Sequence, residues 1–459
     1  MHVNAVHAGP RLDRLPLSSF HHRIMWLIGA GMFFDGFDIY LGGIVVGATI
    51  KSGFSTLGQN AEFVSATFAG MMLGSFVTGF LGDRFGRRFT YQSNLAIFGF
   101  ASIAAAFAPT MQVLILIQCI IGFGLGAENV VGYSTLTEFV PPQSRGKWLG
   151  LMTVFVVTGL PVAALLGRLI IPAFGWRAMF MLGGIGALVV WYLRKKLPES
   201  PRWLESVGRA EEAEVLLQLI EREVSLHHTL LPPPKFSPLV KHSRDLSSLL
   251  SPAILPRMIL GSVSLVVINS LLYGFVTWLP TFFVQQGLSI ARSFNYSLVM
   301  ALGAPIGSAI GAFTADSWGR KPAIVGASSL TILIGSFYPF IKSPAVLMIT
   351  GFALIIPIYV LVALLFAIYI PELFPTEVRL RASGICNTFG RGAIIFTPFI
   401  VVALFRTHGI GGVLVFMIGL LIVEILVVLA LGVEPKKRRL EEIEAVPAVT
   451  PIPAEVRNL

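Results

Sequence analysis

Apolar runs of about 20 residues recur along almost the whole chain, each long enough to cross about 30 Å of hydrocarbon as an α-helix. Twelve can be drawn, at about 24–48, 62–81, 89–108, 111–137, 148–170, 176–194, 257–284, 294–314, 322–341, 345–370, 383–404 and 411–433. With 55% hydrophobic and only 13% charged residues among 459, too little charge remains to wet a soluble surface. The expected fold is an all-α membrane protein of twelve transmembrane helices. The first run is too long for a cleavable signal and holds two acids, Asp35 and Asp38. Cys119 and Cys386 both fall inside runs, as small apolar fillers rather than a disulfide or metal framework.

The formal net charge of +10 points to topology rather than to a nucleic acid. Lys51, Arg177, Arg292, Lys342 and Arg406 fall on one side of the membrane, and Arg168 and Arg391 lie in or near runs. Every other Lys and Arg falls on the side that carries both termini, which the positive-inside bias makes cytoplasmic. The expected location is the cell's inner (plasma) membrane, multi-pass, with both termini cytoplasmic.

The chain repeats itself. "EFVPPQSRGKWLG" from Glu138 reads like "ELFPTEVRLRASG" from Glu372, with Glu138/Glu372, Pro141/Pro375, Arg145/Arg379 and Gly150/Gly384 each 234 positions apart. "GDRFGRR" from Gly82 is answered by "ADSWGRK" from Ala315, with Asp83 and Asp316 offset by 233. Two six-helix halves in the same orientation follow, a parallel repeat. The expected layout is an N-terminal segment 1–22, a first bundle 23–194, a linker 195–256, a second bundle 257–433 and a tail 434–459. The linker should hold an amphipathic helix with Leu216, Leu219 and Ile220 on one side. The tail is polar and Pro-spaced.

Together these residues resemble the major facilitator superfamily over essentially the whole chain. Gly79, Asp83, Arg84, Gly86, Arg87 and Arg88 resemble its G-x-x-x-D-R-x-G-R-R signature. "PESPRW", "PELFPTEVR" and "EPKKRRLEEI" are similar to motifs of the sugar-porter and organic-ion branches. The resemblance implies two pseudo-symmetric bundles working by alternating access. It also implies a conformational latch of Gly79, Asp83, Arg84, Gly86, Arg87, Arg88, Glu138 and Arg145, with Asp316, Gly319, Arg320, Glu372 and Arg379 as the second copy. Physically, an aspartate such as Asp83 can face the positive N-terminus of a helix in the other half, worth about 0.3–1 kcal/mol. Contacts made only when that end is closed bias a two-state equilibrium. In the second copy Ser317 replaces an arginine and Ala312 stands for Gly79, so a weaker latch is expected there.

Structural charges should recur in both halves, whereas a substrate or ion site need not. Shifted by 234, Asp35 maps to Asn269, Asp38 to Leu272, Glu128 to Val362 and Arg391 back to Val157. An ionised carboxylate at the bilayer centre costs roughly 2.5–3.5 kcal/mol on insertion scales, so these unrepeated charges are functional candidates. Asp35 and Asp38 lie about 60° apart around a helix and share a face. Two such carboxylates resist double ionisation, and one that gains and loses a proton in a gated cavity can couple transport to protons. "DGFD" is similar to a motif of aromatic-acid/proton symporters. One aspartate could instead be a structural acceptor, and Gly36 a packing residue. Glu128 either relays protons or pairs with an arginine.

Arg391 offers a planar fork that suits a carboxylate, and related organic-ion carriers resemble this arrangement. Asn269, Tyr273 and Trp278 would give the seventh helix a polar and aromatic lining, although aromatic core packing is equally common. The sugar-porter "QQxSG" pattern is absent there. Gln118 stands where many relatives carry a membrane arginine. Arg168 and Glu424 have no assigned role.

The expectation is a secondary transporter, not an enzyme, that takes up a small organic anion, plausibly an aromatic or heterocyclic carboxylate, with protons. Its partners are the bilayer, the anion and protons, with no cofactor, metal or nucleic acid, and a monomer is expected. No nucleotide-binding loop is present in the sequence. A proton-driven exporter of amphipathic compounds and a transport-inactive sensor are the alternatives.

Overall fold

The structure is a computed structural model that describes residues 6–226, 233–234, 249–274, 276, 296, 299–300, 302–341, 343–436 and 438. It begins with a short helix α1 (Ala8–Asp13). Six long helices follow: α2 (Ser19–Lys51), α3 (Leu57–Phe85), α4 (Arg87–Ala106), α5 (Met111–Phe139), α6 (Arg145–Phe174) and α7 (Arg177–Leu193). The linker supplies α8 (Pro201–Ser206) and α9 (Ala210–Ser225). The second set is α10 (Leu255–Gly274), α11 (Gly303–Ser317), α12 (Arg320–Phe337), α13 (Pro344–Val362) and α14 (Arg379–Leu431). α14 is two helices in line, broken at Gly409, whose φ of 63° and ψ of −158° are not helical. Counted on either side of that break, the second set holds six long helices, as the first does. Nine candidate spans among the described residues are long and apolar enough to cross a membrane. The end of the bundle where α2 begins and α14 ends is called here the terminal face, and the opposite end the far face.

Helix ends follow local chemistry. Thr56 accepts from Gln59 N in a capping box that starts α3, and Thr110 caps α5 by accepting from Val113 N. Gly86 and Gly319 start α4 and α12 at φ of 101° and 104°, a backbone region that side chains with a Cβ rarely adopt. α13 passes into a π-helical turn at Ala363–Tyr369, a feature common at functional sites.

Small residues set the closest approaches. Gly70 and Gly74 of α3 face Gly122 and Gly126 of α5, and a Cβ on any of the four would overlap backbone of the opposite helix. Without a hydrophobic drive between helices in lipid, such backbone proximity supplies the packing. Gly36 of α2 lies against the Val156 carbonyl of α6, with Gly159 returning the contact, so this glycine is a packing residue.

The linker helix α9 buries Ala213, Leu217, Ile220 and Val224, a stripe at i, i+4, i+7 and i+11. Leu219, expected on that stripe, is 57% exposed, and Leu216 is half-buried. The buried face is turned toward Leu217 because Arg11 of α1 holds Glu214 and Glu221 of α9, with Arg14 sharing Glu221.

Two predictions follow from this packing. Gly74→Val should lower the thermal midpoint of the purified protein, the overpacking costing about 1–3 kcal/mol or more; an unchanged midpoint would mean that α3 and α5 are not pressed together. The hydrogen bond from Arg11 holds the Glu214 carboxyl below its ordinary 4.5. Burial opposes ionisation of Glu221, but hydrogen bonds from Arg11 and Arg14 outweigh it and hold that group low as well. Depressed carboxylates stabilise the docked state above the ordinary value and lose that contribution as pH falls through the lowered one. Spin labels on α1 and α9 should therefore stay close at neutral pH and separate below 4.5.

Candidate functional site

At the terminal face the repeated charges sit where the two halves meet. Asp83, near the end of α3, accepts from Arg87 Nη1 at 3.0 Å in its own half. Its other oxygen accepts from Arg381 N at 3.0 Å, in the first turn of α14. Asp316 of α11 accepts from Gly146 N (3.2 Å) and Lys147 N (2.8 Å), in the first turn of α6. Each aspartate thus faces the N-terminus of a helix in the opposite half. The second copy makes two backbone hydrogen bonds where the first makes one, although Asp316 is the more exposed. Glu138 of α5 is clamped by Arg87 Nη2 at 2.9 Å and by Arg379 Nη1 of the other half at 2.9 Å. Glu372 takes Arg320 Nε at 2.9 Å. Arg84 and Arg88 are exposed. Close approach again rests on small residues, with Gly79 and Gly384 meeting between α3 and α14 and Gly150 and Ala312 between α6 and α11.

Deeper in the bundle the unrepeated charges form a second layer. Asp35 and Asp38 of α2 are both buried, and both face α5. Asp35 Oδ2 accepts from Asn129 Nδ2 at 3.2 Å. Asp38 lies opposite Gln118. Glu128, Arg194, Asp38 and, from the other half, Arg391 act on Asp35 electrostatically. Glu128 is paired with Arg194, which follows α7 at the terminal face and reaches inward. The same guanidinium donates to the Leu27 and Ile28 carbonyls at 2.7 and 2.6 Å. Gly31 leaves room for it, since a Cβ there would overlap the Arg194 fork.

From the second half, α14 presents Arg391, which is 4% exposed. Its Nη1 makes a long hydrogen bond of 3.5 Å to Asn269 Oδ1 of α10, and its Cζ stands 5.7 Å from the Phe366 ring centroid. Phe366 sits on the π-helical turn. Among the described residues Arg391 Nε has no hydrogen-bond partner, which leaves part of the fork open. On the far side of this layer, Tyr40 of α2 shares a hydrogen bond with Tyr359 of α13. Tyr273 of α10 lies edge-on to Phe68 of α3 with centroids 4.8 Å apart. The halves therefore touch both above and below the Asp35–Arg391 layer. Trp278 and the side chain of Arg168 lie outside the described residues. Glu424, buried in α14 beyond the break, accepts from Ser264 Oγ of α10 at 2.9 Å.

Several residues escaped the sequence reading. Arg194 looks like one of three topology cations in "RKK". Asp13, near the N-terminus, is buried and takes Arg202 Nη2 at 2.6 Å and Arg145 Nη2 at 3.4 Å. Glu199 of "PESPRW" accepts from the first amides of α4, Arg87 N (3.0 Å) and Arg88 N (3.1 Å). Glu434 does the same for α12 through Arg320 N and Lys321 N, both at 2.9 Å. The offset of 235 between Glu199 and Glu434 was the available signal. The glycines that start those helices also serve this contact, because a Cβ at Gly86 or Gly319 would crowd these carboxylates.

Removing one member of a buried ion pair leaves an uncompensated charge, at a cost of about 3–5 kcal/mol. Arg194→Leu should therefore destabilise strongly, and Arg194→Leu with Glu128→Leu should recover most of the loss. Thermal unfolding in detergent checks this. Equal midpoints for the single and double variants would mean that Glu128 is not held by Arg194.

The sequence profile of the family described as "Sugar (and other) transporter" matches residues 28–446. The chain is 38% identical over 449 residues to "Inner membrane metabolite transport protein YdjE" of Escherichia coli (strain K12), covering 95% of this chain and 98% of that protein. It is 32% identical over 438 residues to "Niacin transporter NiaP" of Acinetobacter baylyi, covering 94% and 98%. Among solved structures, the proton:xylose symporter XylE bound to 6-bromo-6-deoxy-D-glucose superposes with a TM-score of 0.76 at 19% identity, over 94% of this chain and 99% of that one. That likeness shows the fold. The chain is a multi-pass membrane transporter, not an enzyme, and belongs to the Sugar (and other) transporter family of the major facilitator superfamily.

Proposed function

We propose that this transporter carries a small organic anion, an aromatic or heterocyclic carboxylate, into the cell together with a proton. The observation that carries the reading is the electrostatic interaction of Asp35 with Arg391 across the two halves, two buried charges that the internal repeat does not require. An ionised Asp35 holds Arg391 electrostatically. A proton on Asp35 removes that competitor and frees the guanidinium for the substrate carboxylate. Proton and anion thus enter a site that each alone leaves with an uncompensated charge. Asn269 orients the fork, and its unpartnered Nε is a ready donor. Phe366 offers a face on which a flat ring can lie. The relative named as a niacin transporter fits this chemistry, because niacin is a heteroaromatic carboxylate. Asp38, with no cation against it among the described residues, is the second protonatable group. Glu128 is held by Arg194 and fixes the site rather than shuttling protons.

The terminal face is cytoplasmic, and the membrane is the inner one of a bacterium. The Asp83, Glu138 and Asp316 contacts latch that face. The Tyr40–Tyr359 and Phe68–Tyr273 contacts close the far face over the site, with Tyr273 part of the aromatic wall. Opening to either side breaks one set and keeps the other.

Labelled nicotinate and proteoliposomes with acid outside test this. Wild type should accumulate nicotinate. Asp35→Asn should keep nicotinate exchange while losing gradient-driven accumulation. Arg391→Lys should cut uptake by about 10²-fold, since a point charge replaces a bidentate fork. Accumulation by Asp35→Asn equal to wild type would refute the coupling role. Efflux in place of uptake would make the protein an exporter.

A further inference from the structure

Between the Asp35–Arg391 layer and the terminal-face latch lies an internal cavity of about 10 Å³, lined by Asn129, Tyr133, Ser134, Phe366, Ser383 and Asn387 among others. That is about the space of one water molecule. Its walls come from α5 in one half and from α13 and α14 in the other. The hydroxyls of Ser134 and Ser383 are both buried, at 0% and 2% exposure, and neither has a hydrogen-bond partner among the described residues. Two unsatisfied hydroxyls from opposite halves on one small cavity are costly to bury dry. A water with two to four polar partners removes that cost. Asn129 joins this cavity to the coupling site, because its Nδ2 donates to Asp35 Oδ2 while the residue lines the cavity wall.

We infer that this cavity is a water site through which Asp35 releases its proton toward the terminal face. The inference rests on the proton-coupled reading above. In the step, the O–H bond of the Asp35 carboxyl breaks and its proton passes to the cavity water. That water, briefly a hydronium, passes a proton to the bulk water that reaches it from the terminal face once the latch opens. Asp35 is left as a carboxylate facing Arg391. The other charged or titratable groups around Asp35 are Asp38 on α2, Glu128 and Tyr133 on α5, and Arg194 after α7. Of these, Arg194 lies toward the terminal face, held by Glu128 and by the Leu27 and Ile28 carbonyls, and the Tyr133 hydroxyl is engaged with Thr153 at 3.4 Å. Asn129 is a positioning residue, which lines the cavity and donates to the Asp35 carboxylate.

Two measurements decide the inference. In an experimental density map of the full chain fine enough to show waters, an ordered water should sit within about 3.2 Å of both serine hydroxyls. A dry cavity, with the serines turned to backbone carbonyls, overturns the site. In proteoliposomes, Ser134→Ala with Ser383→Ala should slow acid-driven nicotinate uptake at least about tenfold while leaving nicotinate exchange, which releases no net proton, within about twofold. Equal loss of both means that the serines only pack the interface, and no loss of either means that the proton leaves elsewhere; both overturn the proposal. If wild type moves no nicotinate, the substrate reading fails, and the density map still decides the water site.

Discussion

A charge at membrane depth has to be neutralised by something close to it, because the hydrocarbon offers no water to do so. Most of this architecture depends on that constraint. At the terminal face, Glu138 sits between arginines of the two halves, and Asp83 and Asp316 each take amides from a helix start in the other half. Deeper down, Glu128 takes Arg194 from the end of the sixth spanning helix, at the cost of a residue without a side chain at Gly31. These partnerships are complete within one conformation. Asp35 and Arg391 differ: each has a neutral amide as a hydrogen-bond partner, and the two act on each other electrostatically across the interface, with Arg194 of its own half also acting on Asp35.

The repeat gives that difference a meaning. Asp35 and Asn269 occupy equivalent positions 234 apart. In one half the position carries a carboxylate, and in the other a neutral amide that accepts a hydrogen bond from Arg391. A symmetric pair of carboxylates would bind protons without offering an anion a place. On the proposed reading, breaking the symmetry at one position turns a structural scaffold into a site for a proton and an anion together.

The twelve spans, the two halves and the cross-half role of the signature aspartates were legible because each has a one-dimensional mark: run length, a fixed offset, a charge at a span end. The partner of Glu128 was not, since Arg194 lies 66 residues away in a cluster whose other members serve topology. Nor was the docking of α1, because Asp13 sits in a polar segment with no periodicity to suggest burial. The stripe on α9 was misplaced by one position for a similar reason. Leucines at 216, 217 and 219 fit two faces equally well, and the ion pairs with α1 decide between them.

The account's central claim is that a proton on Asp35 frees Arg391 for an anion. Calorimetric binding of nicotinate to the purified protein, repeated in buffers of different ionisation enthalpy near neutral pH, reads the protons exchanged per anion bound. The account predicts uptake of up to about one proton per nicotinate, lost in Asp35→Asn. Tight binding with no proton uptake at any pH from acid to alkaline would contradict it.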